Sequence, residues 1–561
     1  MIRFLDGQIL ARENDRDRAH QLDLNRVSPP PSNTTTTHLP NIEPSSPSLV
    51  SLAYDYATSS KNPALLFNSS YALSSAPPFD LRKSENETVF IAANIIDGDL
   101  ISGSWGDSLI ELVEGIGRER VWVSVFGGPK EELDLLGERL IRVGVGTERV
   151  WVVSEEEEPL DGGGIPRTEL PTGESRVKRI AWLAGVRNRV LEPLYEDNGK
   201  ERIGGGGGDI KPDKLLFLND VFFDPSSALR LLWGTNLDVE GVARYKAVCA
   251  VDFVESWKFY DTFATRDTEG YSIGVPVFPW FVNEGEARSR RDVLEGRDAV
   301  RVKSCWVHAT AQNAPSGEKT EKAKLKANND GLGVPSLPLK FRSEPEPFWD
   351  SSECCLIHAD IMALPDLALP PSATSWKKNE EDEWDTGIYM NPYVRTSYSA
   401  SAHRHIWLAK RFERLFVPVQ RMLNYWAGMP RWNYRRTERE GKKVKDRLWI
   451  SVHSNLTEEE AVRRAEEGWA FDDEGSEKSG VERRAAVMGR VNGVLGKREV
   501  LGKVRGKEYW DNEGYYVDYE RTAKRGGYCG VRQLLVMKEG KVEEGQGNWD
   551  NLLDRVPPID I

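Results

Sequence analysis

Apolar residues are thin over the first 85 or so positions and then gather into regularly spaced runs. Val27 to Val50 is dominated by Pro, Ser, Thr and Asn, including Pro29-Pro30-Pro31 and Thr34 to Thr37. Such a segment offers too little apolar surface to offset the entropy of ordering it, so residues 1–85 are expected to form a disordered tail or stalk. From Glu87 the pattern changes. Thr88 to Asn94, Val121 to Phe126, Val150 to Val153 and Lys214 to Leu218 are short apolar runs of buried-strand length. Between them, Leu109, Leu112, Val113 and Ile116, then Leu133, Leu136 and Leu140, recur at helical spacing, with Asp107 or Ser108 expected to cap the first helix. Arg176 to Leu194 predicts a third helix. The resulting β-α-β-α-β-α-β order predicts a mostly parallel α/β sheet covered by helices, with ligands bound beyond the carboxyl ends of its strands.

The remaining chain is less regular. Gly204 to Gly208 lacks both the preceding strand and the following helix of a phosphate loop, and reads as a flexible insert. A polar, Lys- and Pro-rich insert is expected at about 313–347, and an acidic loop at Lys377 to Asp385. The expected division is a tail over 1–85, a catalytic domain over 86–425, and a partly ordered C-terminal extension over 426–561. Within that extension the basic cluster Arg431 to Arg447, interspersed with Glu438 and Glu440, reads as a solvated face.

Composition narrows the function. A formal charge of −13 argues against a nucleic-acid binder, which needs a basic surface to meet phosphates. No run of 18 apolar residues appears and the opening residues lack signal-peptide order, so no membrane segment is expected in this chain. The five cysteines (Cys249, Cys305, Cys354, Cys355, Cys529) form no CxxC pair, which speaks against a zinc ribbon. They fit either a reducing compartment or one or two disulfides with a thiol left over. N-x-[ST] triplets occur at Asn33, Asn68, Asn86 and Asn455.

The clearest chemical signal is acidic. Asn219-Asp220 follows the fourth strand, with Asp224, Asp252, Asp261 and Asp267 close behind. Carboxylates at a strand end are the donors with which an enzyme holds Mg²⁺ or Mn²⁺ against a nucleoside diphosphate. Each is also a residue that caps turns. His308 and His358 are further candidates for a metal or diphosphate. Gly270-Tyr271-Ser272-Ile273-Gly274 matches the serine-hydrolase elbow, but neither strand nor helix is expected around it. Neither a dinucleotide G-x-G-x-x-G after the first strand nor a Walker lysine motif is present.

A set of segments in one collinear order resembles the fungal capsule-associated α-1,3-mannosyltransferases, the cryptococcal mannosyltransferase-like glycosyltransferases. They are Phe90 to Asn94; Arg179 to Ala184 with Arg187-Asn188; Leu216 to Val221; Cys249 to Phe253; and Tyr260-Asp261-Thr262 with Arg266-Asp267. Ser304-Cys305-Trp306, Ser352-Glu353-Cys354, Asn391 to Arg395 and Arg411 to Arg414 continue the set. The resemblance implies a GT-A-like, Rossmann-type sheet and metal-dependent, retaining transfer of mannose from GDP-mannose to a mannose-containing glycan in α-1,3 linkage. It implies Mn²⁺, with Mg²⁺ as the other choice, and a Golgi or secretory location. On it, Asn94, Arg187, Asn219 and Asp220 are expected to bind the donor, and Asp220 and His358 the metal. Asp252 or Asp267 would position the acceptor hydroxyl or donor sugar, and Arg266 would pair with a phosphate. Phe126-Gly127-Gly128-Pro129 and Val307-His308 depart from the family pattern. The alternative is therefore a glycan-binding or scaffolding protein on the same fold, and a hydrolase using Ser272 comes after that.

Overall fold

The structure is a computed structural model that describes residues 86–157, 165–169, 175–195, 212–306, 309–313, 339–364, 384–451, 456–466, 514–538 and 548–552. The tail over 1–85, Gly204 to Gly208, His308, most of the 313–347 insert and the triplets at Asn33, Asn68 and Asn455 lie outside the described residues.

The four apolar runs fold as strands β1 (Val89–Ile95), β2 (Val121–Gly127), β3 (Val150–Ser154) and β6 (Lys214–Leu218). They pair in parallel in the order β3-β2-β1-β6. Strands buried on both faces read as continuous apolar runs, which is why these are visible in the sequence. Short β4 (Arg167–Glu169) and β5 (Ser175–Val177) form a separate ribbon. Beyond β6 the sheet continues through β10 (Ala309–Asn313), β7 (Ala247–Glu255), β12 (Ile388–Ser397) and β9 (Val300–Arg301), while β8 (Lys258–Phe259) pairs with β7. Strand β10 is antiparallel to both its neighbours, whereas β12 runs parallel to β7. The result is a mixed α/β sheet with a parallel half and helices on its faces, as the order of elements predicts.

Helices cover both faces. On one side lie α1 (Gly98–Ser102), α2 (Ser104–Ile116), α3 (Lys130–Arg142) and α5 (Pro225–Trp233). On the other lie α4 (Arg179–Tyr195) and α7 (Glu353–Ala363), with α6 (Arg288–Glu295) nearby. The first helical stretch starts earlier than Asp107 or Ser108: Asp97 caps α1, accepting from Leu100 N at 3.1 Å. Alternation within each strand splits the core. Leu215 and Phe217 join one cluster with Cys249 and Val251; Leu216 and Leu218 join the other with Val248 and Ala250.

The C-terminal residues are fastened to this domain. Strands β13 (Lys443–Ser451) and β14 (Gly514–Thr522) form a hairpin, and β15 (Gly530–Arg532) pairs with β11 (Trp349–Ser351). Disulfides join Cys249 to Cys305 and Cys355 to Cys529, leaving Cys354 as a buried free thiol. The basic cluster is not a solvated face throughout. Arg435 is buried, bonded to Glu346 at 2.7 Å and to Asp446 at 2.8 Å, and lies over Trp349. Partners remote in sequence turn a charged stretch into an interior ion network. Among the described residues, no helix is long and apolar enough to cross a membrane.

Candidate active site

Strand β10 joins β6 and β7, the two strands that lead to the acidic residues. Leu218 of β6 lies opposite Ala309, and Cys249 of β7 lies opposite Thr310. Asp252 lies within β7, whereas Asp220 sits in a bend two residues past the end of β6; both lie within electrostatic reach of the Tyr398 hydroxyl. Asp252, by alternation, faces the same side as Val248 and Ala250. Past Asp220 the chain crosses the strand ends: Phe222 N donates to Ser397 O at 2.7 Å, and Ser397 N to Phe222 O at 3.1 Å.

Tyr398, next after β12, collects the cluster. Its hydroxyl is held well above the usual phenol range by burial and then by Tyr260, Asp252, Asp220 and Asp261. It donates to the Asp252 side chain. Burial, followed by the Asp261 charge, pushes the Asp252 carboxyl well above the ordinary carboxylate range, and its Oδ2 is buried without a protein partner. Asp261 is satisfied differently, accepting from Phe263 N at 3.0 Å, Ala264 N at 2.7 Å and the Thr265 hydroxyl. It folds the 261–265 turn. Tyr260 packs on Tyr398 with ring centroids 4.4 Å apart and meets Trp306 edge-on at 6.2 Å. These flat faces offer a surface to a base or sugar ring.

A second group stands beside the first. Arg187 on α4 donates to Glu353 Oε1 at 3.0 Å and to Asn219 Oδ1 at 3.3 Å, with its guanidinium 5.8 Å from the Trp306 ring centroid. Trp105 Nε1 donates to Asn219 O at 2.9 Å. Asn94, near the carboxyl end of β1, donates from Nδ2 to Val186 O at 3.1 Å, while its Oδ1 is buried without a partner. Asn94, Arg187 and Asn219 thus gather along the strand ends next to Asp220. The chemistry fits a divalent cation: hard oxygen donors, crowded negative charge and an orphaned carboxylate oxygen.

Residues 88–360 match the family model described as Cryptococcal mannosyltransferase 1. That region belongs to the cryptococcal mannosyltransferase family. The protein is accordingly a glycosyltransferase, and every sequence-expected site residue lies inside the matched span, whereas Tyr398 lies beyond it. No curated protein matches the chain. Among solved structures it is similar to glucosyl-3-phosphoglycerate synthase from Mycobacterium tuberculosis, solved with Mn²⁺, UDP and phosphoglyceric acid. The identity is 13%, over 66% of this chain and 88% of that one, at a TM-score of 0.24. So weak a likeness adds nothing to the fold described above.

Other expected residues of this family domain sit elsewhere. His358 on α7 is fully buried, its Nε2 3.9 Å from Cys249 Sγ, on the face of β7 opposite Asp252. Burial lowers its pKa to about 4. Among the described residues, the one grouping of three potential metal-ligating side chains is Cys249, Cys305 and His358, whose two sulfurs are joined as a disulfide. The structure does not bring His358 to Asp220. Arg266 donates to Tyr528 O at 2.7 Å, Cys529 O at 2.9 Å, Phe263 O at 2.8 Å and Thr265 O at 2.9 Å. Its guanidinium secures the C-terminal segment. Ser272 forms a lone bridge with Arg266, and the next helix begins only at Arg288, so the strand-to-helix elbow is absent.

Asp267 organises a turn, its Oδ1 accepting from Glu269 N at 2.9 Å and Tyr271 N at 2.8 Å. Burial raises its pKa to about 7. The folded chain therefore holds a proton that the unfolded chain releases near pH ~4, and stability falls as pH rises from there through about 7. Asp267→Asn keeps the accepting oxygen and removes the charge. It is expected to be more stable than wild type above that window, by up to about 4 kcal/mol, with the gap closing at low pH. Denaturant unfolding across pH 4–8 checks this. A stabilised variant with normal turnover would assign Asp267 to the turn rather than the chemistry.

In the sequence Tyr260 and Trp306 stand out only within the resembling segments, and nothing marks Tyr398. A tyrosine one residue past a strand carries no signal of its own; only the Phe222–Ser397 crossing makes it central.

Proposed function

We propose that this protein transfers mannose from GDP-mannose to a mannose-containing glycan, forming an α-1,3 linkage with retention and using Mn²⁺, or failing that Mg²⁺. The observation that supports this most is the gathering of Asp220, Asp252 and Asp261 around the Tyr398 hydroxyl, with Asp252 Oδ2 left without a hydrogen-bond partner, within a mannosyltransferase-family domain. Asp220 would hold the divalent cation, which when bound neutralises charge on the departing diphosphate. Asn219, fixed by Arg187 and Trp105, sets the strand end from which Asp220 projects. Asp252 Oδ2 would accept from a sugar hydroxyl, Tyr260 and Trp306 would supply the flat surface, and the buried Asn94 Oδ1 would accept from the bound donor. In the reaction the acceptor oxygen forms the new bond to C1 as the bond from C1 to the diphosphate breaks, and the acceptor's proton passes to the diphosphate or a carboxylate. Catalysis is then mainly positioning and charge compensation.

Two disulfides fit an oxidising compartment, which supports placing the protein in the secretory pathway, in the Golgi by family. Asn86, exposed at the start of the described region, is available for glycosylation there.

The test is nucleotide release by the purified full chain offered GDP-, UDP- and CMP-sugars, with Mn²⁺ and then with chelator. GDP release from GDP-mannose alone, lost on chelation, is the expected result. No release from any donor by folded protein would overturn the proposal in favour of a glycan-binding protein on a transferase fold.

A further inference from the structure

The helix α9 (Phe416–Ala427) is built inside out. Its two buried residues are both polar, Gln420 and Asn424. Gln420 donates to Trp280 O at 3.0 Å and accepts from Arg290 Nη1 at 2.6 Å; Asn424 Oδ1 accepts from Val275 N at 2.6 Å. These bonds, with Phe416 and Val417 packed on the core, secure the inner face to the 275–281 loop and leave a second apolar row outward. Leu415 is 71% exposed and Trp426 67%, with Val419 and Met422 exposed between them. Across the 3₁₀ turn Glu413–Leu415 the same sequence spacing reaches Phe412 and Leu408 on α8 (Ala400–Phe412), also exposed. Trp432, at 80%, stands just beyond. A scattered exposed Leu is ordinary in a globular protein, but a helical stripe of this length is not.

Charge selects what covers the stripe. Residues 400–432 hold six Lys or Arg and a single acidic residue, in a chain whose net charge is −13. That acidic residue, Glu413, is buried and bonded to Arg395 at 2.7 Å and 3.0 Å, so it does not offset the surface charge. Arg404, Arg414, Arg421 and Arg431 are all exposed around the stripe. A second copy docked on the same patch would set these arginines against themselves. A phospholipid surface instead offers hydrocarbon to the stripe and phosphates to its fringe, and Trp is suited to the boundary between them.

We propose that the outer face of α8 and α9 is a peripheral membrane-docking surface, lying in the headgroup plane of a phospholipid bilayer without crossing it.

The full chain is floated with vesicles of phosphatidylcholine alone or with about one-third phosphatidylserine. Wild type is expected to float with both, several-fold more with the anionic mixture, and the Trp emission to shift to the blue. The triple variant Leu415→Glu, Met422→Glu, Trp426→Glu is expected to lose at least ten-fold in bound fraction. Arg414→Glu with Arg421→Glu should lose chiefly the anionic preference. Unchanged melting shows that these exposed substitutions leave the fold intact. Folded wild type that stays with neither vesicle, or a triple variant that binds as wild type does, would overturn the proposal. So would a wild-type dimer that the triple variant abolishes while vesicles go unbound, which would assign the face to a second copy.

Discussion

Asp220→Asn is expected to reduce metal-stimulated release of GDP from GDP-mannose by about 10³-fold or more while leaving the fold and its melting temperature essentially unchanged. The side chain keeps its size and loses its charge. Because Asp220 lies with Asp252 and Asp261 around the buried Tyr398 hydroxyl, removing its negative charge relieves repulsion within that acidic group. A folded protein without turnover is thus the signature of a carboxylate kept for chemistry. Asp224 is the matched control from the same acidic stretch. It caps α5, accepting from Ser227 N at 3.0 Å and from the Ser226 and Ser227 hydroxyls. Asp224→Ala should lose about 1 kcal/mol of stability and keep its turnover. Steady-state GDP release and thermal melting, run on both variants, separate the roles. Asp220→Asn with wild-type turnover would remove it from the site.

Which parts of this arrangement the sequence discloses follows from the range of the forces involved. Strands β1, β2 and β6 are legible because each is a short apolar run buried on both faces, and β3, half-buried at the sheet edge, keeps the same apolar run. Helix α4 is legible for its length and periodicity, within three residues of the structural start at Arg179. Strand β10 is not, since Ala309-Thr310-Ala311-Gln312-Asn313 has no strand pattern and its place between β6 and β7 is fixed by pairing with residues about 60 to 100 positions away. The carboxylates are visible as a run of Asp residues, but their divergent duties are not. Asp261 and Asp267 hold turns, Asp224 caps a helix, and Asp252 is left with an orphaned oxygen. The same limit applies to Arg266 and Arg435, whose carbonyl and carboxylate partners come from remote segments. In α9 the sequence gives an amphipathic period but not which face turns inward; the carbonyls and amide of the 275–281 loop decide that.

Arg187 ties the stability of the domain to the placement of its site, and its removal is expected to cost about 3–5 kcal/mol. The guanidinium is buried between Glu353 on α7 and Asn219 at the end of β6, so Arg187→Met strands the fully buried Glu353 carboxylate without its partner. Removing both charges, as Arg187→Met with Glu353→Gln, leaves no unpaired ion and is expected to recover most of the lost stability. Activity should not return with it. Without the arginine, the Asn219 side chain loses one of its anchors, and the strand end carrying Asp220 is less firmly set. The double variant is therefore expected to melt close to wild type but to turn over GDP-mannose with a raised KM and a lowered kcat. Unfolding free energies on the single and double variants, paired with kinetics on the stable one, decide the matter. Full recovery of both kinetic constants in the double variant would show that Arg187 serves only to neutralise Glu353. A stable but impaired enzyme would make it a positioning residue, holding α4, α7 and the donor-facing end of β6 in one geometry.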